Sequence, residues 1–116
     1  MSKLPNAQLA IVDESKITGY LLNLDHLLGR AKCQFLAGFG FNAEQWGTLR
    51  DAILAHAVVN NCIELKQTQY GTSFAVDGPL STPDGRRPTV RVVWFVREGE
   101  SMPRLVTLIP TRMENP

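Results

Sequence analysis

The chain changes its hydrophobic period once, near residue 60. Upstream, apolar residues recur at three- and four-residue steps, the spacing of one helix face; downstream they alternate, the spacing of a strand. The upstream half predicts three helices. The first covers about residues 14–22, with Asp13 at its N-cap, Glu14 in its first turn, and Ile17, Tyr20 and Leu21 on its apolar side. Residues 23–26 read as a break, because Asn and Asp favour caps and turns over helix interiors. Asp25 is then the candidate cap of a second helix over about 29–36, which buries Ala31, Phe35 and Leu36 with Cys33 alongside. Gly38-Phe39-Gly40-Phe41 stops it. Asn42 caps the third helix, about 43–59, where Trp46, Leu49, Ile53, Leu54 and Ala57 give the clearest periodicity in the chain and Asn60-Asn61 marks the end.

The downstream half predicts strands over about 62–69, 72–77, 89–97 and 104–109. Tyr70-Gly71 makes the first turn, Pro83-Asp84-Gly85 lies in an exposed loop over 78–88, and Glu98-Gly99-Glu100-Ser101 connects the last pair. Strand 89–97 is apolar on both faces, as in a central strand covered by helices. Strand 104–109 alternates Leu105, Thr107 and Ile109 against Val106 and Leu108. Residues 1–12 read as an extended arm broken by Pro5, with Leu9, Ile11 and Val12 on the core edge, and 110–116 as a frayed tail. Helices first and strands second give an α+β fold: one domain over 1–116, its helical part (about 13–59) packed on one face of a four-stranded antiparallel meander (about 62–109).

Composition narrows the function classes. At 116 residues the chain supports one core, and 44% apolar with 20% charged residues is ordinary for a globular domain. A net charge of +1 does not advertise a polyanion partner, although a local basic patch is a separate matter. No apolar run is long enough for a membrane span, and the N-terminal stretch lacks the layout of a signal peptide, so the expected location is cytoplasmic with no membrane partner. Cys33 and Cys62 have no CxxC spacing and read as free, buried thiols. Asp13, Glu14, Asp25 and Asp77 form no metal spacing, and HExxH, GxSxG and phosphate-loop motifs do not occur, so neither metal nor cofactor is expected.

The stretch with the most chemistry is His26 to Lys32. His26 and Arg30 share a face if the second helix starts early, whereas Arg30 and Lys32 diverge by about 200° on a helix. One reading is a phosphate- or nucleotide-binding corner with His26 as acid or base and a cation stabilising charge; the other is two solvated cations beside a capping histidine. Arg91 sits among valines in the predicted central strand, where a charge is paired, functional, or snorkelling along the sheet. Thr89 shares its face, and Thr107 on the neighbouring strand joins them if the register allows; threonine is also simply a good strand residue. His56 reads as a surface or packed histidine of the third helix.

Taken together, Leu4-Pro5-Asn6-Ala7, Tyr20-Leu21-Leu22-Asn23, His26, Gly29-Arg30-Ala31-Lys32 and Phe39-Gly40-Phe41 resemble an uncharacterised bacterial domain family of unknown function. Gly78-Pro79-Leu80, Pro83-Asp84-Gly85-Arg86, Val90-Arg91-Val92-Val93-Trp94 and Pro103-Arg104-Leu105-Val106-Thr107 extend the resemblance over almost the whole chain. Members of that family occur as small free-standing proteins and as modules at the ends of toxin-like proteins. The element order is also similar to the barnase, colicin and RelE-type ribonuclease toxins. That likeness implies metal-independent RNA cleavage, with His26, Lys32, Arg91 and Thr107 as catalytic residues; Arg30 of the basic corner and Thr89 beside Arg91 are the candidate substrate-binding residues. Leu24 and Leu27 stand where the family often has proline, which implies a less rigid turn around His26. Two functions are therefore carried forward: a toxin-type ribonuclease acting on RNA, and a non-catalytic module binding a small cognate protein, in either case a monomer or small homo-oligomer.

Overall fold

The structure, a computed structural model, describes residues 2–111, in which three helices precede a four-stranded antiparallel sheet. Helix α1 (Glu14–Lys16) runs directly into a π turn (Ile17–Leu21), closed by the Leu22 amide on the Ile17 carbonyl at 2.7 Å. Asp13 takes the N-cap position without a side-chain bond. Helix α2 (Arg30–Ala37) and helix α3 (Trp46–Val59) follow, the latter entered through a short 3-10 turn (Ala43–Gln45). Asn42 caps that turn, its Oδ1 accepting from the Gln45 amide at 2.9 Å.

The strands β1 (Cys62–Thr68), β2 (Gly71–Pro79), β3 (Thr89–Arg97) and β4 (Arg104–Pro110) pair in chain order. Pleating sends Val90, Val92 and Trp94 of β3 into the core, where they meet Ile17, Leu21, Leu36, Leu49, Ile53 and Ala57 from the helices. Burial of each such side chain is worth about 1.5–3 kcal/mol, so this seam holds the layers together. Arg91, Val93 and Phe95 lie on the other face and are half-buried, so β3 is not covered on both sides as its apolar pattern suggests.

Two departures from simple alternation matter. In β4, Val93 opposes Thr107 while Trp94 opposes Leu105, so Val106 is the extra residue of a β-bulge. The bulge makes Leu105 and Leu108 the buried pair and breaks the expected grouping of Leu105 with Thr107. The loop after β2 is also less free than its prolines imply. Its Asp84 amide reaches the Phe39 carbonyl, Arg86 Nη2 donates to the Gly38 carbonyl at 2.8 Å, and the Arg86 guanidinium lies 4.4 Å from the Phe39 ring centre. The expected arm has Ile11 bridged to Arg104 beside β4. Of the expected tail, Pro110 belongs to β4, and residues 112–116 lie outside the described ones.

Candidate functional site

The close approach of two helix ends creates the site. Gly29, the residue before α2, presses against the π turn so closely that a Cβ there would stand 2.1 Å from the Tyr20 carbonyl oxygen. Only hydrogen fits, and the contact fixes α2 against the turn that carries Tyr20. One turn into α2, Lys32 extends its half-buried side chain back to Tyr20. Its ammonium donates to the Tyr20 phenol oxygen at 2.8 Å and to Thr107 Oγ1 at 2.5 Å. Tyr20 and Thr107 are themselves 2.9 Å apart. A cation, a phenol and a hydroxyl therefore close a three-membered hydrogen-bonded ring. The β4 bulge supplies the third member by placing Val106 and Thr107 between the two core leucines.

An open cleft of about 560 Å³ fronts this ring, lined by Ser15, Lys16, Gly19, Tyr20, His26, Leu28, Val106 and Thr107. Lys16 stands 6.0 Å and Lys32 5.2 Å from the Tyr20 ring centre. Among the described residues no carboxylate lines the cleft, so its described wall is cationic even though the chain's net charge is only +1. Burial works to raise the ionisation of Tyr20. The hydrogen bonds from Lys32 and Thr107, with the charges of Lys32 and Lys16, outweigh it and hold the phenol below the usual value of 10.0.

His26 packs its ring 5.0 Å from that of Tyr20. Its Nδ1 accepts from the Leu28 and Gly29 amides, both at 3.0 Å, in the turn that leads into α2. The Gly29 amide also donates to the His26 carbonyl at 3.1 Å, so His26 closes this helix entry through both its ring and its backbone, where Asp25 was the expected cap. Asn23 Oδ1 accepts from the Asp25 amide at 2.9 Å and shapes the same turn.

Of the residues singled out by sequence, the structure brings together His26, Lys32 and Thr107, with Lys32 behind the cleft wall rather than on it. Arg30 stands apart, its Nε donating to the Leu24 carbonyl at 3.0 Å. Arg91 turns toward β2, where it forms a two-pronged ion pair with Asp77 at 2.8 and 2.9 Å. That pairing lowers the Asp77 carboxyl, chiefly through the Arg91 hydrogen bonds. Thr89 opposes Pro79, and its carbonyl accepts from Thr111. Among the described residues, no three His, Cys, Asp or Glu side chains group to hold a metal ion, and no helix is long and apolar enough to cross a membrane.

Tyr20 is the member that sequence reasoning missed as chemistry. At three- and four-residue spacing it reads as a core residue beside Ile17 and Leu21. The π turn adds a residue to that part of the helix and leaves Tyr20 half-buried at the cleft, while Ile17 and Leu21 are buried completely. π turns of this kind are frequent at functional sites. The available signal was a phenol on an otherwise apolar face, which needs a polar partner when buried.

No curated protein and no solved structure matches the chain. The family described as a domain of unknown function, DUF6883, matches residues 3–112. A match of that extent places the chain in the DUF6883 family.

Proposed function

We propose that the protein is a metal-independent ribonuclease of the toxin type, with the Tyr20–Lys32–Thr107 cleft as its active site. The observation that carries this reading is the ring of ammonium, phenol and hydroxyl, with 2.5–2.9 Å between partners, at the wall of a cleft that no carboxylate lines among the described residues. Cleavage of RNA without a metal needs cations for the phosphate and a group that moves the 2′-hydroxyl proton. Lys16, on the cleft wall, supplies the first requirement, and Lys32 adds its charge from behind that wall. Two rings with exchangeable hydrogens, His26 and Tyr20, line the cleft, and the second requirement falls to one of them. Arg91 and Thr89 lie outside this assignment, because the Arg91 guanidinium is committed to Asp77.

The test is incubation of purified protein with total RNA and a chelator, resolved on a gel. Wild type is expected to fragment the RNA, and Lys32→Met, checked for folding by circular dichroism, is expected to leave it whole. Intact RNA with wild type refutes the reading.

A second reading is a non-catalytic module for a small cognate protein. It is favoured by Leu24, Leu27 and Leu28, which are 55%, 84% and 73% exposed beside the cleft. Its test is the same gel: a protein that never cuts RNA but loses a co-purifying partner on Leu27→Lys belongs to this class.

A further inference from the structure

We propose that Tyr20, rather than His26, is the proton-transferring catalytic residue of the cleft, and that Lys32 and Thr107 are positioning residues that hold its phenolate. The inference rests on the ribonuclease reading above and assigns the chemistry within it.

The hydrogen bonds of His26 decide the first half. Both the Leu28 and Gly29 amides donate to Nδ1, so the ring hydrogen resides on Nε2. In that tautomer Nε2 has no lone pair with which to take a proton. The imidazolium form would place a hydrogen on Nδ1 against two N–H donors, and both bonds would be lost. His26 is therefore held as a cap with Nε2–H as a hydrogen-bond donor, its one lone-pair nitrogen being engaged by the two amides.

The ring around Tyr20 decides the second half. Lys32 can only donate, and it donates to both Tyr20 and Thr107. With Thr107 Oγ1 accepting from Lys32, its own hydrogen is free to point at Tyr20. Every donor then aims toward the phenol oxygen, an arrangement fully satisfied when that oxygen is an anion. Among the described residues, the groups that face Tyr20 are Lys16 from α1, His26 from the turn before α2, Lys32 from α2 and Thr107 from β4, with no carboxylate lining the cleft. Each neighbour either favours the phenolate or is neutral toward it.

In the reaction the Tyr20 phenolate takes the proton of a ribose 2′-hydroxyl. The 2′-oxygen forms its bond to the adjacent phosphorus while the bond from phosphorus to the 5′-oxygen breaks. The leaving 5′-oxygen takes a proton from water in the open cleft, and Lys16 faces the phosphate charge. The products are a 2′,3′-cyclic phosphate end and a 5′-hydroxyl end. The phenol of Tyr20 then returns its proton to solvent.

Two measurements test the assignment. RNA cleavage is compared for wild type, Tyr20→Phe and His26→Asn, the last keeping an oxygen acceptor for the two amides. Tyr20→Phe is expected to lose about a hundredfold or more, and His26→Asn to stay within a few-fold of wild type. Tyrosinate absorbance is titrated in parallel, the difference between wild type and Tyr20→Phe isolating Tyr20. That ionisation is expected to move to higher pH in Lys32→Met and in Thr107→Val, a change that a purely structural role for either residue would not produce. Cleavage retained by Tyr20→Phe, or lost equally in His26→Asn, overturns the Tyr20 assignment and leaves the ribonuclease reading standing. An ionisation unmoved by Lys32→Met overturns the positioning role. RNA left whole by wild type overturns both readings together.

Discussion

Protonation of His56 should set how the stability of this protein responds to mild acid. His56 is 2% exposed on α3, with Nε2 3.1 Å from the Gly78 carbonyl oxygen on β2 and Nδ1 without a partner among the described residues. A neutral imidazole with its hydrogen on Nε2 donates to that carbonyl, whereas an imidazolium would bring an unsolvated charge and an orphan N–H into the core. Burial dominates and lowers its ionisation below 6.5, against the smaller raising effects of the Gly78 and Val90 backbones and of Asp77. The sign follows. Between its lowered folded value and the unfolded 6.5, the unfolded chain binds the proton and the folded chain does not, so stability rises with pH there. His56 contributes fully above about pH 6.5 and loses its contribution as pH falls from there toward the folded value. The loss cannot exceed about 1.4 kcal/mol per pH unit, which sums to about 2 kcal/mol at pH 5, or a fall of about 8 °C in Tm for a domain of this size. Thermal melts between pH 5 and 8 on wild type and His56→Gln provide the assay, since glutamine keeps an N–H donor and removes the titration. The difference in Tm between the two should shrink as pH falls. A difference that stays constant over this range would refute the reasoning.

Other sites give predictions of different kinds. Gly29→Ala forces a methyl group against the Tyr20 carbonyl and should cost about 1–3 kcal/mol in urea unfolding while also disturbing the tyrosinate titration, two effects that should appear together. Arg91→Met breaks a pair on the open sheet face and should cost no more than about 1 kcal/mol at neutral pH, with RNA cleavage within a few-fold of wild type; a large loss of cleavage would return Arg91 to the site. In the same variant the Asp77 carboxyl should titrate nearer its ordinary value. The stability it contributes, which in wild type is lost as pH falls below about 3.8, should then be gone at every pH. Leu49→Ala removes a fully buried side chain from the helix–sheet seam and should cost about 2–5 kcal/mol by chemical denaturation.

The fold was legible wherever an element carries an undisturbed period. Strand 89–97 and the helix that follows Asn42 appear at the expected positions, since apolar spacing, caps and turn glycines all agree there. The site was legible only in part because it occupies the two places where the period is broken. The π turn removes Tyr20 from the stripe to which its spacing assigns it, and the β4 bulge separates Thr107 from Leu105. Both irregularities depend on tertiary contacts, and neither leaves a mark in local propensity. Arg91 illustrates the opposite case. Its position among valines was visible, but Asp77 lies directly across from it only once the β2–β3 register is known.

The ring of Tyr20, Lys32 and Thr107 also dictates when the cleft comes into being. Its partners on β4 and on the first helical segments lie 87 and 75 positions apart in the chain. The sheet itself pairs between sequence neighbours, so its hairpins close over short separations, whereas the cleft requires a closure between distant parts of the chain. The Ile11–Arg104 bridge belongs to the same late event. A chain still emerging during synthesis has helices and part of a sheet but no cleft until β4 arrives and docks. Undocking of β4 from the first helical segments therefore takes the site apart even where the hairpins persist.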